Sequence, residues 1–415
     1  MQATTGPSVQ RKERVHARRR ISPLVLVLSL PLLVGSLCKK PPDEVILEPV
    51  NVSNDSGRSE QPACAVDSRG TVHLVWTNEI GGNEGIVYAY KPTNGEWSVP
   101  VNISSNNQGS RFPSIAVGPD DKLHLAWQDA SPYGHPGPVW RIFYSERAVG
   151  GDWTTPETIA GERDYVVPKL AVDGDGSVHM VWLYGGWYEG IRYRCRTSAG
   201  VWLPDETVVP YPAVLDHPAI AVDGSRSVHL TVGEAIDTAY NTDILYFTKP
   251  KSGAWSAPLD ISSPRNGLHG WVGADGLGNV HCVWMDWTPP SYATWAVYRM
   301  RRPGGTWTET VRPCTLNCTA LHSVGAIGPG NELMLPGSDT VRNHELRFSG
   351  HLLFVIKRPD SAFGDTTLVG MVNPLGSYKA LAWGQNGDVH VIMEQQGEGS
   401  VDNTDIYWLG CRPKR

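Results

Sequence analysis

The chain repeats one pattern of apolar and polar positions seven times. In each copy a short apolar run precedes a turn rich in Asp, Gly and Ser, and a second apolar run follows that turn. Apolar runs of this length joined by turn residues predict two antiparallel β-strands per copy. The seven segments align without gaps and read QPACAVDSRGTVHLVW, FPSIAVGPDDKLHLAW, VPKLAVDGDGSVHMVW, HPAIAVDGSRSVHLTV, HGWVGADGLGNVHCVW, HSVGAIGPGNELMLPG and YKALAWGQNGDVHVIM.

The spacing within and between the copies is regular. Successive copies begin 50 to 56 residues apart, and the same eleven-residue interval separates the proline-like from the histidine-like position in each copy. An aromatic residue ends a predicted third strand, and a second aromatic residue, nine positions later, opens a fourth strand. The pairs are Tyr88 and Trp97, Tyr144 and Trp153, Tyr193 and Trp202, Tyr246 and Trp255, Tyr298 and Trp307, and Phe354 and Phe363. This pattern predicts an all-β fold, a seven-bladed β-propeller with four-stranded blades.

The seventh copy lacks a fourth strand, because Tyr407 lies too close to the C-terminal Arg415. The missing strand has a counterpart near the N-terminus, where residues 48–53 (EPVNVS) match residues 99–104 (VPVNIS), the fourth strand of the first copy. We therefore predict that residues 45–53 complete the last blade and leave no open sheet edge between the termini.

The N-terminal segment differs from the repeats. A basic stretch, RKERVHARRR, precedes an apolar run, ISPLVLVLSLPLLVGSLC, that is short and interrupted for a membrane span. We predict an export signal over residues 1–38, a linker over residues 39–44 and a single propeller over residues 45–415. Cleavage after Ser36, a lipoprotein-type signal ending at Cys38 and an uncleaved anchor are alternatives. The protein is expected to be secreted, periplasmic or lipid-anchored at the cell envelope, with membrane contact only through this segment.

The net charge limits the classes of binding partner. Without residues 1–38 the chain carries 30 Lys and Arg against 41 Asp and Glu, which argues against a nucleic-acid partner. We expect a monomer that binds a glycan or another small molecule.

Three cysteines lie in predicted strands, where a free thiol packs as a small apolar group, and two in one predicted loop are close enough to pair. They are Cys64, Cys195 and Cys282 in strands, and Cys314 and Cys318 in the loop.

No cofactor or metal is predicted. Cys and His spacings typical of structural zinc do not occur in the sequence. The segment DGDGS, which contains Asp173 and Asp175, resembles part of a calcium loop, and a plain turn is the alternative interpretation because the ligand series is incomplete.

The histidine that recurs in six of the seven copies is interpreted as structural. A residue repeated in nearly every blade is typical of blade packing rather than of a single site, and a neutral imidazole donates at one nitrogen and accepts at the other. The tryptophan three positions later is likewise expected in the core. These tryptophans are Trp76, Trp127, Trp182 and Trp284.

The pattern A-V-D-x-x-G-x-V-H-x-V-W, followed by I-x-Y and W-x-x-P, resembles the repeats of sialidase-like, or BNR-type, bacterial β-propeller proteins. The resemblance extends from Val45 to the end of the chain and implies a propeller fold. Catalytic sialidases have six blades and Asp boxes of the form S-x-D-x-G-x-T-W, and the string does not occur here. Their F-R-I-P motif has a partial match in Arg111-Phe112-Pro113, and their Tyr nucleophile has no assignable position.

Propeller geometry indicates where a site would lie. The start of each inner strand and the end of each second strand emerge on one face around the central channel, where loops vary most freely. Aromatic residues beside carboxylates in those loops suit sugar rings. The candidate ligand-binding residues are Tyr184, Trp187, Tyr188, Trp287, Asp129, Asp286, Arg111, His217 and His269.

The sequence favours carbohydrate binding at the channel face of an exported propeller. The first alternative is a sialidase-like glycoside hydrolase, which needs paired carboxylates. The second alternative is a cell-surface protein-interaction scaffold, because propellers host all three functions. The candidate catalytic residues for a hydrolase are Asp129, Glu234, Asp286, Glu394 and Arg111.

Overall fold

The computed structural model confirms a seven-bladed β-propeller without helices in the residues that it describes. Within those residues, no helix has the length and apolar character needed to cross a membrane. The described ranges are 49–54, 57–80, 82–104, 109–131, 139–161, 165–185, 190–210, 215–235, 242–263, 267–287, 294–313, 324–338, 341–342, 348–364, 367–372, 377–396 and 404–411.

The strands follow the seven sequence copies. Blades 1 and 2 contain β2 (Ser59–Val66), β3 (Val72–Ile80), β4 (Asn83–Lys91), β5 (Val101–Asn102), β6 (Ser110–Val117), β7 (Leu123–Ser131), β8 (Val139–Arg147) and β9 (Glu157–Ala160). Blades 3 and 4 contain β10 (Tyr165–Val172), β11 (Val178–Tyr184), β12 (Gly190–Arg196), β13 (Glu206–Val209), β14 (Ala219–Val222), β15 (Val228–Ala235), β16 (Thr242–Lys249) and β17 (Leu259–Asp260). Blade 5 contains β18 (Gly267–Ala274), β19 (Val280–Trp287) and β20 (Thr294–Arg301). Blade 6 contains β21 (Ala326–Ile327), β22 (Leu333–Ser338), β23 (Val341–Arg342), β24 (Phe348–Lys357) and β25 (Thr367–Val372). Blade 7 contains β26 (Ser377–Trp383), β27 (Val389–Gln396), β28 (Thr404–Cys411) and the N-terminal β1 (Val50–Asn51).

Strands within a blade pair antiparallel, mostly in chain order from the channel outward. Two blades show local variations. In blade 5, Val311 takes the place of the fourth strand through two main-chain hydrogen bonds with Tyr298, both 2.9 Å long. In blade 6, the short strand β23 pairs with the start of β24 beside the four regular positions.

The N-terminal strand closes the ring, as predicted. Val50 pairs with Trp408, and the main-chain N–H of Val52 donates to the carbonyl of Ile406 at 2.8 Å. The Ser53 hydroxyl adds a buried hydrogen bond of 3.0 Å to Asp405. Because the outer strand of blade 7 comes from the opposite end of the chain, the ring has no open edge at this seam.

The core lies between neighbouring blades. Four tryptophans in the second strands are fully buried, and each packs on apolar residues of the preceding blade: Trp76, Trp127, Trp182 and Trp284. The prediction that these tryptophans form the core is confirmed. Aromatic side chains of this size bury a large apolar area per residue, so they contribute strongly to the packing between blades.

The repeated histidine is part of a hydrogen-bonded unit inside blades 1 to 5. In blade 1, His73 Nδ1 is hydrogen-bonded to the Tyr88 hydroxyl at 2.9 Å, and Nε2 lies 3.6 Å from the turn carboxylate of Asp67. The same pair forms in the next four blades, as His124–Tyr144, His179–Tyr193, His229–Tyr246 and His281–Tyr298. The structural interpretation of this histidine is therefore confirmed.

The aromatic pairs lie elsewhere in the blades than predicted. Tyr88 sits three residues before the end of β4 rather than at its end, and Trp97 precedes β5 by four residues rather than opening it. The reason is packing between blades. Trp153 meets Tyr88 of the preceding blade edge-on at 5.3 Å, and Trp202 meets Tyr144 in the same way at 5.2 Å. The constant nine-residue spacing therefore reflects aromatic packing between neighbouring blades, and not the positions of the strand ends.

Candidate ligand-binding site

A cavity of about 360 Å³ lies at the channel, around the middle of the inner strands. All seven blades contribute to its wall. The residues with polar or aromatic side chains in this wall are Gln61, Phe112, Ser114, Lys169, His217, His269, Trp271 and Lys379. A cavity of this volume with convergent polar groups is typical of a small-molecule site.

The third residue of four inner strands lies in the left-handed region of backbone space. The φ angles are 55° for Gln61 and 52° for Phe112, Val167 and His269, and each residue lies within a β-bulge of its strand. Non-glycine residues adopt this conformation at a cost of roughly 1 kcal/mol or more. The bulge turns the start of the strand toward the channel. Hydrogen bonds between neighbouring blades offset the cost of the left-handed conformation.

Each of these strained residues donates its main-chain N–H to a side chain of another blade. Gln61 Oε1 accepts from Phe112 at 2.9 Å, and Gln128 Oε1 accepts from Val167 at 2.8 Å. The Glu394 carboxylate accepts from Gln61, and Asp216 Oδ2 accepts from His269 at 3.0 Å. These side chains therefore hold the start of the next inner strand in place around the cavity.

Asp216 also binds two imidazoles. His217 Nδ1 donates to Oδ1 at 2.8 Å, and His269 Nδ1 lies 2.7 Å from Oδ2. Burial alone would raise the pKa of Asp216, but the hydrogen bonds from the two histidines outweigh it and hold the pKa below its ordinary value. The side chains of His217 and His269 are 49% and 32% exposed, so both rings can be reached from the cavity.

Two lysines bring positive charge to the cavity wall. Lys379 Nζ lies 3.4 Å from Glu394 Oε2, so its charge has a partner. Burial lowers the pKa of Lys169, and no described residue forms an ion pair with its ammonium group. Phe112 and Trp271 add apolar surface, and the ring of Phe112 lies 5.8 Å from that of His217. The wall thus combines cationic groups with aromatic faces.

The predicted catalytic carboxylates do not converge on this cavity. Asp129 and Asp286 are buried inside their blades, where Ser110 donates to Asp129 at 3.1 Å and Arg312 lies 3.7 Å from Asp286. Burial raises the pKa of Glu394, which takes the N–H of Gln61, and burial also raises the pKa of Glu234. None of the described residues that line the cavity is an Asp or a Glu.

The other predicted ligand-binding residues occupy several environments. Arg111 pairs with Glu84 of blade 1 and lies over the Trp140 ring at 5.9 Å. Tyr184 is half-buried beneath the Arg192 guanidinium at 5.0 Å. Trp287 ends β19, and its side chain lies outside the described residues. The remaining sequence predictions that lie outside the described residues are Trp187, Tyr188, the 1–38 signal with Cys38, the 39–44 linker, residues 45–48 of the closing segment, and the Cys314–Cys318 pair.

The two carboxylates of the DGDGS turn form hydrogen bonds and an ion pair within the protein. Asp173 Oδ1 accepts main-chain N–H groups of Asp175 at 2.9 Å and of Ser177 at 2.8 Å. Asp175 pairs with Arg226. Turn carboxylates of three other blades take the same hydrogen bonds from their own turns: Asp67, Asp223 and Asp275.

Sequence reasoning found His217 and His269 but missed the other polar and aromatic wall residues. Lys379 stands at the proline-like position of its copy, and the others stand directly before or after that position, as Gln61 and Phe112 do before it and Lys169 does after it. The variation at these positions within an otherwise regular repeat was the available signal. The loops were favoured instead because they carry most of the exposed aromatic residues.

Comparison with known proteins places the fold but not the activity. No protein-family model and no curated protein sequence matches the chain. A protein of unknown function from Dyadobacter fermentans is similar with 14% identity and a TM-score of 0.57, over 90% of this chain and 100% of that one. An ulvan lyase, described as a new family of polysaccharide lyase and bound to GlcA(1-4)Rha3S, gives 10% identity and a TM-score of 0.60, over 88% and 96%. A lectin from Burkholderia pseudomallei gives 11% identity and a TM-score of 0.59, over 85% and 96%.

At these identities the likeness shows the fold alone. The likeness of fold agrees with the β-propeller that the repeats predicted. The geometry of the cavity must therefore carry any statement about function.

Proposed function

We propose that the protein is an exported propeller that binds an acidic glycan in the channel cavity. The observation that carries the proposal is the wall itself, where Lys169 and the two histidines face a space bordered by Phe112 and Trp271. Aromatic faces pack against the C–H surface of a sugar ring, and cationic groups bind carboxylate or sulfate substituents.

The unpaired ammonium group of Lys169 favours an acidic rather than a neutral sugar. Burial without a counter-ion disfavours the charged form of a lysine, as the lowered pKa of Lys169 indicates. An anionic substituent beside Nζ restores the charged form and gains a charge-assisted hydrogen bond. A neutral glycan would leave the desolvated amine without that compensation.

Binding is favoured over glycoside hydrolysis by the chemistry of the wall. A hydrolase of the predicted kind needs two carboxyl groups on either side of the scissile bond. The described lining residues supply amides, imidazoles and ammonium groups but no carboxylate directly in the wall. Glycan-binding and glycan-cleaving proteins with the same fold, such as the lectin and the lyase, support carbohydrate as the ligand class.

A glycan array that contains sulfated, uronate, sialylated and neutral oligosaccharides tests the proposal. We expect retention on acidic glycans that 0.5 M salt weakens, because salt screens the lysine–anion attraction. Retention on neutral glycans alone would contradict an acidic ligand. Absence of retention on every glycan would contradict carbohydrate binding and favour the interaction scaffold.

A further inference from the structure

Asp216, His217 and His269 form a compact group of metal-ligand types at the rim of the cavity. One ligand atom from each residue can be chosen so that all three atoms lie within 4.8 Å of one another. The Asp216 carboxylate lies between the rings, whose centroids are 6.2 Å apart. Two imidazoles and one carboxylate are a donor set that binds divalent transition metals in other folds.

The three residues are held by the frameworks of two adjacent blades. The Asp216 main-chain N–H donates to the carbonyl of Gly233 at 2.8 Å, and the His269 main-chain N–H donates to Asp216 Oδ2 at 3.0 Å. A Cβ atom on Gly233 would stand 3.1 Å from the Asp216 Cβ, so the glycine leaves room for the aspartate to sit there. Fixed ligands lose little conformational entropy when an ion binds.

We propose that Asp216, His217 and His269 bind one divalent transition-metal ion, with Zn²⁺ the best fit. The nitrogen-rich donor set disfavours Ca²⁺ and Mg²⁺, which take oxygen ligands. Three protein ligands leave a coordination position open toward the cavity, as in sites that also accept water or a ligand group. The exposed edges of both rings make that position accessible from the channel.

Zinc binding requires that protons shift on the two imidazoles and that the three side chains move slightly. Both Nδ1 atoms face Asp216 at hydrogen-bond distance. When the ion binds, each neutral imidazole moves its proton from Nδ1 to Nε2, so the Nδ1 lone pairs become ligands without net proton release. Zinc bonds of about 2.0–2.2 Å place ligand atoms about 3.3 Å apart, so each Nδ1 atom must move roughly half an ångström away from the carboxylate oxygen that it faces.

The blade histidines provide an internal contrast. His281 and Asp275 also place an imidazole 3.2 Å from a carboxylate, but both are buried and the other ring nitrogen of His281 is hydrogen-bonded to Tyr298. That repeated unit has no open coordination position. The group formed by Asp216 and its two histidines is the only cluster of three metal-ligand side chains found among the described residues.

Zinc titration of the full chain by calorimetry, with metal analysis after gel filtration, tests this site without any glycan. We expect one Zn²⁺ per chain for the wild type and at least tenfold weaker binding for His217→Ala and for Asp216→Asn. Lys169→Met, which alters the same cavity outside the metal ligands, should keep zinc binding and lose glycan binding. This variant separates failure of the metal site from failure of the glycan proposal.

X-ray absorption identifies the ligands directly. Imidazole and oxygen scattering around the bound zinc is expected. Sulfur scattering would assign the ion to cysteines, and stoichiometric binding that persists in His217→Ala would place it elsewhere. Either result, or the absence of zinc binding by the folded wild type, would overturn the proposal.

Discussion

Gln128 of blade 2 accepts a 2.8 Å hydrogen bond from the main-chain N–H of Val167 of blade 3, a β-branched residue with a φ of 52°. Such a residue is a rare occupant of the left-handed region. The contact is buried, and it links the second strand of one blade to the start of the next inner strand. Related contacts place the carboxylates of Glu394, a predicted catalytic residue, and of Asp216 in the same positioning role.

Removing this acceptor should destabilise the seam. Gln128→Ala leaves the Val167 N–H buried without its partner, which costs about 1–3 kcal/mol in the free energy of unfolding. Urea denaturation followed by tryptophan fluorescence measures the change. The exposed Asn94→Ala variant is the control and should stay within about 0.5 kcal/mol of the wild type. Equal stability of the two variants would show that the seam contact contributes nothing.

Ring closure can be tested at Ser53. Its hydroxyl accepts the N–H of Ile406 at 3.0 Å, as the Ser104 hydroxyl accepts the N–H of Ile86 at 3.1 Å within blade 1. Ser53→Ala and Ser104→Ala should each lower the free energy of unfolding by about 1–2 kcal/mol, because each orphans a buried N–H. A loss for Ser104→Ala without one for Ser53→Ala would argue against closure by the N-terminal strand.

Acid should weaken the fold through the blade histidines. Burial lowers the pKa of His73, His124 and His390 from 6.5 to about 4. The unfolded chain therefore binds more protons than the native chain between pH 6.5 and pH 4. The stabilisation is complete above pH 6.5 and is lost as the pH falls toward 4, by about 1.4 kcal/mol per pKa unit for each histidine.

Urea midpoints measured at a series of pH values between 7 and 4 test this expectation. The midpoint should fall across the window, and His124→Asn should show a shallower fall because one titrating group is absent. A midpoint that is constant or rises on acidification would contradict neutral, buried histidines.

The repeat predicted the fold because its signal is periodic and local. The alignment of copies located the strands and turns, and the match between residues 48–53 and 99–104 predicted the closing strand that pairs Val50 with Trp408. The contacts between neighbouring blades were harder to predict from the sequence. The constant spacing of Tyr88 and Trp97 was assigned to strand ends, because a sequence does not reveal that the tryptophan of one copy packs on the tyrosine of another.

The site was only partly predictable for a related reason. His217 and His269 were identified at strand starts, but their shared contact with Asp216 depends on how blades 4 and 5 are placed side by side. In the sequence, Lys169 resembles an ordinary polar residue of a strand. Only the arrangement of the blades around the channel places it in the cavity wall. Carboxylates in the loops attracted a catalytic interpretation, since burial of Asp129 and Asp286 is a property of tertiary structure.

The most direct test of the central claim is the affinity of the wild type and of Lys169→Met for an acidic oligosaccharide selected on the array, measured by calorimetry. Replacing a desolvated, unpaired ammonium by an apolar chain of similar length should preserve folding, and Lys251→Met on an exposed turn is the matched control. We predict at least a tenfold loss of affinity for Lys169→Met, about 1.4 kcal/mol, and none for Lys251→Met. Equal affinity of folded Lys169→Met and the wild type would contradict glycan binding in the channel cavity.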